Sequence, residues 1–130
     1  MSYPTSREIG DLGESLAAAW LIEHGYTIIA RNFYASHNEI DIIARKEPYI
    51  CFIEVKTRRI SEAAQYGRPA ASVGWNKQKH LILAAEQYLR KNPASGQPRM
   101  DVIEVYLPDG HTLPIRAERI VHMPGAYHRR

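Results

Sequence analysis

The stretch that most constrains this chain lies between Asn38 and Lys56, where two apolar runs, residues 40–44 and 50–55, flank Lys46, Glu47 and Pro48. β-Branched residues dominate both runs and a short polar break with proline separates them, which predicts the two strands of a hairpin. Such strands favour apolar side chains, yet Asp41 stands inside the first and Glu54 inside the second. Side chains alternate along a strand, so Glu54 shares a face with Lys56, and Glu39 shares one with Asp41. Pairing the strands brings Asp41, Glu54 and Lys56 to one spot. Two carboxylates and a lysine suit a divalent-metal site for phosphate chemistry. A solvated sheet face, with Glu54 and Lys56 as plain neighbours and Asp41 paired to an arginine, accounts for the same residues one at a time.

A chain of 130 residues, 45% of them hydrophobic, suits a single globular domain over residues 1–130, with residues 1–6 and 125–130 expected as flexible ends. Its longest apolar run, residues 16–22, falls far short of the roughly 20 residues that cross a bilayer, so no membrane is expected. The first eight residues have no apolar run behind a basic start, so a secretory leader is not expected either. Cys51 is the only cysteine, which excludes an internal disulfide and suits a reducing cytoplasm. It falls on the strand face opposite Glu54, as a buried structural thiol would. The net charge is +3, which permits nucleic acid without requiring it. Its distribution says more. Arg58 and Arg59 follow the Glu-x-Lys strand, Arg68 lies in the next loop, and Lys77 and Lys79 open the following helix. A phosphate backbone would be attracted there; a solvated basic loop explains the same residues.

Upstream, Ile9, Leu12, Leu16, Trp20 and Leu21 recur at helical spacing and predict a helix over residues 7–24, stopped by Gly25. Gly13 inside it costs about 1 kcal/mol relative to alanine, and admits close approach of another element. Glu14 borders the apolar stripe, with solvent as its simplest destination. A first strand is expected over residues 26–33 and a long loop over residues 57–74. Asn76 is placed to cap a helix over residues 77–91, with Leu81, Ala84, Ala85, Tyr88 and Leu89 as its buried stripe. Lys77 and Lys79 at its start oppose the helix dipole, a cost that a bound phosphate offsets. Residues 100–107 alternate as a strand with Asp101 and Glu104 as exceptions, and a last short strand falls at residues 113–115 or 120–123. The sequence carries no glycine-rich phosphate loop and no zinc-ligand spacing.

Gly13-Glu14, Glu39-Ile-Asp41, Phe52-Ile-Glu54-Val-Lys56-Thr-Arg58, Lys77-Gln78 and Arg99-Met-Asp101-Val follow one another in order. In this succession the chain resembles the YraN-like family (uncharacterised protein family 0102), itself similar to archaeal Holliday-junction resolvases and to the PD-(D/E)XK, restriction-endonuclease-like superfamily. The resemblance implies an α/β fold of three layers, α/β/α, around a central mixed sheet. It implies Mg²⁺ or Mn²⁺ on Asp41 and Glu54, with the Val55 carbonyl oxygen and Glu14 as further ligands. Lys56 would orient the attacking water and steady the phosphate, with Gln78 and Glu39 supporting the site. The family usually has glycine where this chain has Asn38, a residue that tolerates positive φ better than other non-glycine residues.

The expectation that follows is a metal-dependent nuclease hydrolysing phosphodiester bonds in DNA, branched or structured DNA in particular, with DNA favoured over RNA. A non-catalytic nucleic-acid-binding module is the alternative, and an adaptor with structural acids is a third reading. By analogy with resolvases that cut two strands symmetrically, a homodimer is expected.

Overall fold

The computed structural model describes residues 3–65, 73–110, 112–114 and 116–129. In chain order its elements are α1 (Ser6–Glu23), β1 (Thr27–Ala35), β2 (Asn38–Lys46), β3 (Tyr49–Arg59), a 3₁₀ helix (Ile60–Gln65), α2 (Trp75–Lys91), β4 (Gln97–Leu107) and β5 (Arg119–Tyr127). The strands form one sheet in the order β1-β2-β3-β4-β5. β3 and β4 run parallel and every other neighbouring pair is antiparallel. Parallel neighbours need a long crossover, and α2 lies within it.

The two helices cover opposite faces. Ile42, Ala44, Cys51, Ile53, Val55, Ile103, Val105 and Leu107 pack with Ala17, Ala18 and Leu21 of α1. Ile43, Ile50, Phe52, Met100 and Val102 pack with Leu81, Ala84 and Ala85 of α2. A sheet covered on both faces buries its central strands throughout, which is why β3 reads as a nearly unbroken apolar run. Cys51 is fully buried on α1's face, and burial pushes its thiol up to about 12, with the charge of Asp101 adding to the effect. That is the structural thiol the sequence suggests.

Local chemistry sets the helix ends. Thr5 Oγ accepts the Glu8 N–H at 3.1 Å and Glu8 Oε1 accepts the Thr5 N–H at 2.9 Å, a reciprocal cap that starts α1 inside the arm expected to be loose. Gly25, at φ 87°, ends it as predicted. Gly13 has the role its cost suggests. A Cβ built there would stand 1.8 Å from Thr57 Oγ1 and 2.9 Å from Thr57 Cβ, so α1 rests against β3 at this point only because the side chain is missing.

Several expected boundaries move. β3 continues to Arg59 and a 3₁₀ helix follows, where a loop from residue 57 was expected. α2 starts at Trp75 with Gly74 as its N-cap, so Asn76 lies inside the helix and does not cap it. β5 reaches Tyr127, so Gly125, Ala126 and Tyr127 are strand residues and not part of a loose tail. Asp101 and Glu104, the exceptions to the alternation of β4, are both fully buried.

Candidate metal centre

β2 pairs with β3 from Ile42 to Lys46 and parts from it beyond Ile42. At the parting point Asp41 replaces the missing ladder: its Oδ2 accepts the Val55 N–H at 2.8 Å. The alternation of β2 also slips here. Ile42 and Ala44 face α1, whereas Ile40 joins Ile43 on the α2 face. Opposite Asp41, between the partners of Ile40 and Ile42 on β1, Asn32 takes a positive φ of 53°. Asparagine adopts this left-handed geometry more readily than other residues with a side chain. The twist turns the Asn32 amide inward, where Nδ2 donates to Glu14 Oε1 at 2.9 Å and to Glu39 Oε1 at 3.3 Å.

Around this amide Glu14 of α1 and Glu39 and Asp41 of β2 each offer a carboxylate oxygen, all within 4.8 Å of one another. Burial raises the Glu14 carboxyl above its ordinary range; the Asn32 hydrogen bond opposes this, the charge of Glu39 adds to it, and Arg31, 3.9 Å away, opposes it again. Asp41 is pushed up to about 8, by burial first and the charge of Glu54 second, with the Val55 N–H pulling the other way. Carboxylates crowded this closely, with little cationic compensation, favour either a proton or a cation.

Glu54 is as buried as Asp41, at 6% exposure against 8%, but is compensated differently. Lys56 Nζ lies 3.3 Å and Lys77 Nζ 3.1 Å from its Oε1. The hairpin therefore brings Asp41, Glu54 and Lys56 to one place, as the sequence suggests. The oxygen cluster suited to an ion, however, takes Glu39 in place of Glu54. Val55 meets the acids through its N–H. Glu14 is in the cluster and not in open solvent, and Glu39 stands among the acids themselves.

The remaining sequence candidates divide. Lys77 is an ion-pair partner of Glu54, which relieves the conflict between a cation and the start of α2 from within the chain. Gln78 donates to the Val73 carbonyl at 2.8 Å, just before the start of α2. Arg59 donates to the Pro108 carbonyl at 2.7 Å, tying the end of β3 to the end of β4. Arg58 lies at the end of β3, one residue short of that tie. Lys79 holds its ammonium 4.2 Å from the Trp75 ring centroid. Arg68 lies outside the described residues. Asn32, which bridges two of the acids, escaped the sequence reading; its signal was a polar residue next to Arg31 in the middle of an otherwise apolar strand.

Comparison with known proteins places the whole cluster inside a shared region. Residues 13–105 match the profile of the Uncharacterised protein family UPF0102. The chain belongs to that family. A UPF0102 protein of Caldanaerobacter subterraneus subsp. tengcongensis is 36% identical over 129 residues, 98% of this chain and all of the relative. One from Chlorobium chlorochromatii is 39% identical over 128 residues, 98% of this chain and 97% of the relative. One from Chloroherpeton thalassium is 41% identical over 104 residues, 79% and 78% of the two chains. The UPF0102 match begins at Gly13, the glycine that seats α1 on β3, and takes in Glu14, Asn32, Glu39, Asp41, Glu54 and Lys56. Among the described residues no helix is long and apolar enough to cross a membrane.

Proposed function

We propose that this UPF0102 chain is a divalent-metal-dependent nuclease of restriction-endonuclease-like fold, hydrolysing phosphodiester bonds in DNA, branched or structured DNA in particular. One observation carries the reading: buried and half-buried acids from α1, β2 and β3 converge with Lys56 where the central hairpin opens. The donor set fits Mg²⁺ or Mn²⁺, because hard divalent cations prefer oxygen ligands and Glu14, Glu39 and Asp41 offer three carboxylates at close range. Such an ion, when bound, supplies a lowered pKa for its water and charge neutralisation at the phosphate.

The chain's own residues supply the rest. Asn32 holds the Glu14 and Glu39 carboxylates together, and the Val55 N–H fixes one oxygen of Asp41. Lys56 stands at the acids, tethered by Glu54 and partly open to solvent, where an ammonium can meet a phosphate oxygen or steady an attacking water. A sheet covered on both faces, with acids at its central hairpin, supports the fold assignment.

One feature favours the alternative, a nucleic-acid-binding module without catalysis: Glu54, although it neighbours Asp41, is neutralised by two lysines and is not one of the three carboxylates that lie within 4.8 Å of one another. Purified protein incubated with labelled single-stranded, duplex, flap and four-way-junction DNA in Mn²⁺ and then Mg²⁺ separates the two, with Glu54→Gln as the contamination control. Cutting that the variant lacks is the expected result. Tight binding by both proteins with no cutting by either rejects the nuclease and leaves the binding module.

A further inference from the structure

On the far side of α2's first turn from the acids lies a second feature. Trp75, the first residue of α2, keeps 52% of its surface exposed, although large aromatic side chains are normally covered. One helical turn on, Lys79 places its ammonium 4.2 Å from the indole centroid. Next to the ring runs a shallow groove of about 220 Å³ with Ile82 and Leu83 as its apolar wall and Lys79, His128 and Arg129 among its polar residues. Among the described residues no carboxylate lines it, although Arg129 is ion-paired with Glu86 just outside. Exposed aromatic surface, an apolar wall and cations at the rim make a site for a flat, weakly polar ring that carries an anionic tail.

From this we infer that Trp75 and Lys79 form a stacking platform for one unpaired base of a bound nucleic-acid strand, the Lys79 ammonium leaving the indole face it covers to take the adjoining phosphate. The inference rests on the nucleic-acid reading above and adds to it a preference for unpaired over fully paired strands. The position supports it. Residues 75 and 79 lie on one side of the helix, while Lys77, between them in sequence, points the other way to Glu54. A helix with its side chains is about 10–12 Å across. The base on Trp75 therefore belongs to a nucleotide near the one at the acids, not to that nucleotide itself. Stacking is indifferent to base identity but needs a base whose face is free, which a continuous duplex does not offer. The platform selects single strands, gaps and branch points, where a base is unpaired.

The test uses the full chain with EDTA present, so that binding is read without cutting. Fluorescein-labelled oligothymidylate, a blunt duplex and the same duplex with a short central single-stranded gap are titrated against wild type, Trp75→Phe and Trp75→Ala. Trp75→Ala is expected to weaken binding of the single strand and the gapped duplex by about tenfold and to leave the blunt duplex within about twofold. Trp75→Phe recovers most of the loss. Intrinsic fluorescence gives a direct reading, since Trp20, stacked on His24 on the opposite side of the sheet, is the only other tryptophan. Oligothymidylate should quench wild type and leave Trp75→Phe unquenched.

An equal loss on all three probes, or no loss on any, overturns the platform, and Trp75 is then better explained as a protein contact. Mn²⁺-dependent cutting with no role for Trp75 rejects this inference alone. Trp75-dependent binding without cutting rejects the nuclease alone.

Discussion

Asp101 and Asp41 are acids buried beside the same central strand, and the fold treats them in opposite ways. Asp101 is fully buried. Arg99 meets it twice, through Nε at 2.9 Å and Nη2 at 2.8 Å, while His122 Nε2 lies 2.8 Å away and the Gly125 N–H donates at 3.0 Å. Burial alone would raise its carboxyl, but His122 and Arg99 outweigh that and hold it below its ordinary value. Arg99 is itself held, its guanidinium 4.9 Å from the Tyr49 ring and hydrogen-bonded to the Tyr26 hydroxyl at 2.8 Å. Asp41 has one N–H donor, and its closest ionisable company is more carboxylate. A buried acid with every oxygen satisfied is part of the scaffold. One left short of positive charge marks a place where the fold carries a cost that a ligand can remove.

Breaking the satisfied acid should produce the largest effect. Asp101→Ala leaves Arg99 unpaired in the interior and is expected to cost about 3–5 kcal/mol, read from urea unfolding midpoints. A loss under about 1 kcal/mol would mean that the network is decorative. The acid cluster should behave in the reverse sense. Adding Mn²⁺ at about a hundred times its dissociation constant is expected to stabilise wild type by about 2.7 kcal/mol, and Asp41→Asn should lose that gain. An Asp41→Asn protein that gains as much from Mn²⁺ as wild type would put the ion elsewhere.

Gly13→Ala sharpens the comparison from a distance. The added methyl group collides with Thr57 and lifts α1, costing about 1–3 kcal/mol, and it should weaken the Mn²⁺ response by displacing Glu14. A variant of wild-type stability would contradict the close packing of α1 on β3. Titration should separate the acids most finely. The folded-state pKa of Asp41 is raised from 3.8 to about 8, so its contribution to stability is complete below about 4 and is lost as pH rises through about 8. That of Asp101 is lowered, so its contribution is present above about 3.8 and is lost as pH falls through the folded value. In chelator, Asp41→Asn should flatten the decline between about pH 4 and 8. An unchanged slope assigns that decline to other groups.

How much of this was legible in the sequence follows from which forces are local. The central hairpin, the stop at Gly25 and the purpose of Gly13 could all be read from neighbouring residues, and all three appear in the fold. The convergence of Asp41, Glu54 and Lys56 followed from the two-residue repeat of a strand. What that repeat could not supply was its own interruption. The repeat put Glu39 on the face of Asp41, but it does not announce the left-handed turn at Asn32 or the slip at Asp41, beside which Glu39 and not Glu54 joins the oxygen cluster. Asn76 is the better capping residue by type, yet the chain enters α2 through Gly74, which offers no side chain. Asp101 registered as an anomaly whose remedy, His122 and Gly125, lies more than twenty positions further along.

That separation has a bearing on biosynthesis. A ribosome delivers Asp101 and Arg99 well before His122 and Gly125, so the central strands emerge while one of their buried charges still lacks half of its partners. Until β5 arrives, the outer edge of β4 is also unpaired and open to another strand. The sheet in the nascent chain is therefore completed by the arrival of β5. Truncations that stop short of it should be captured by chaperones or proteases, not released as smaller folded proteins.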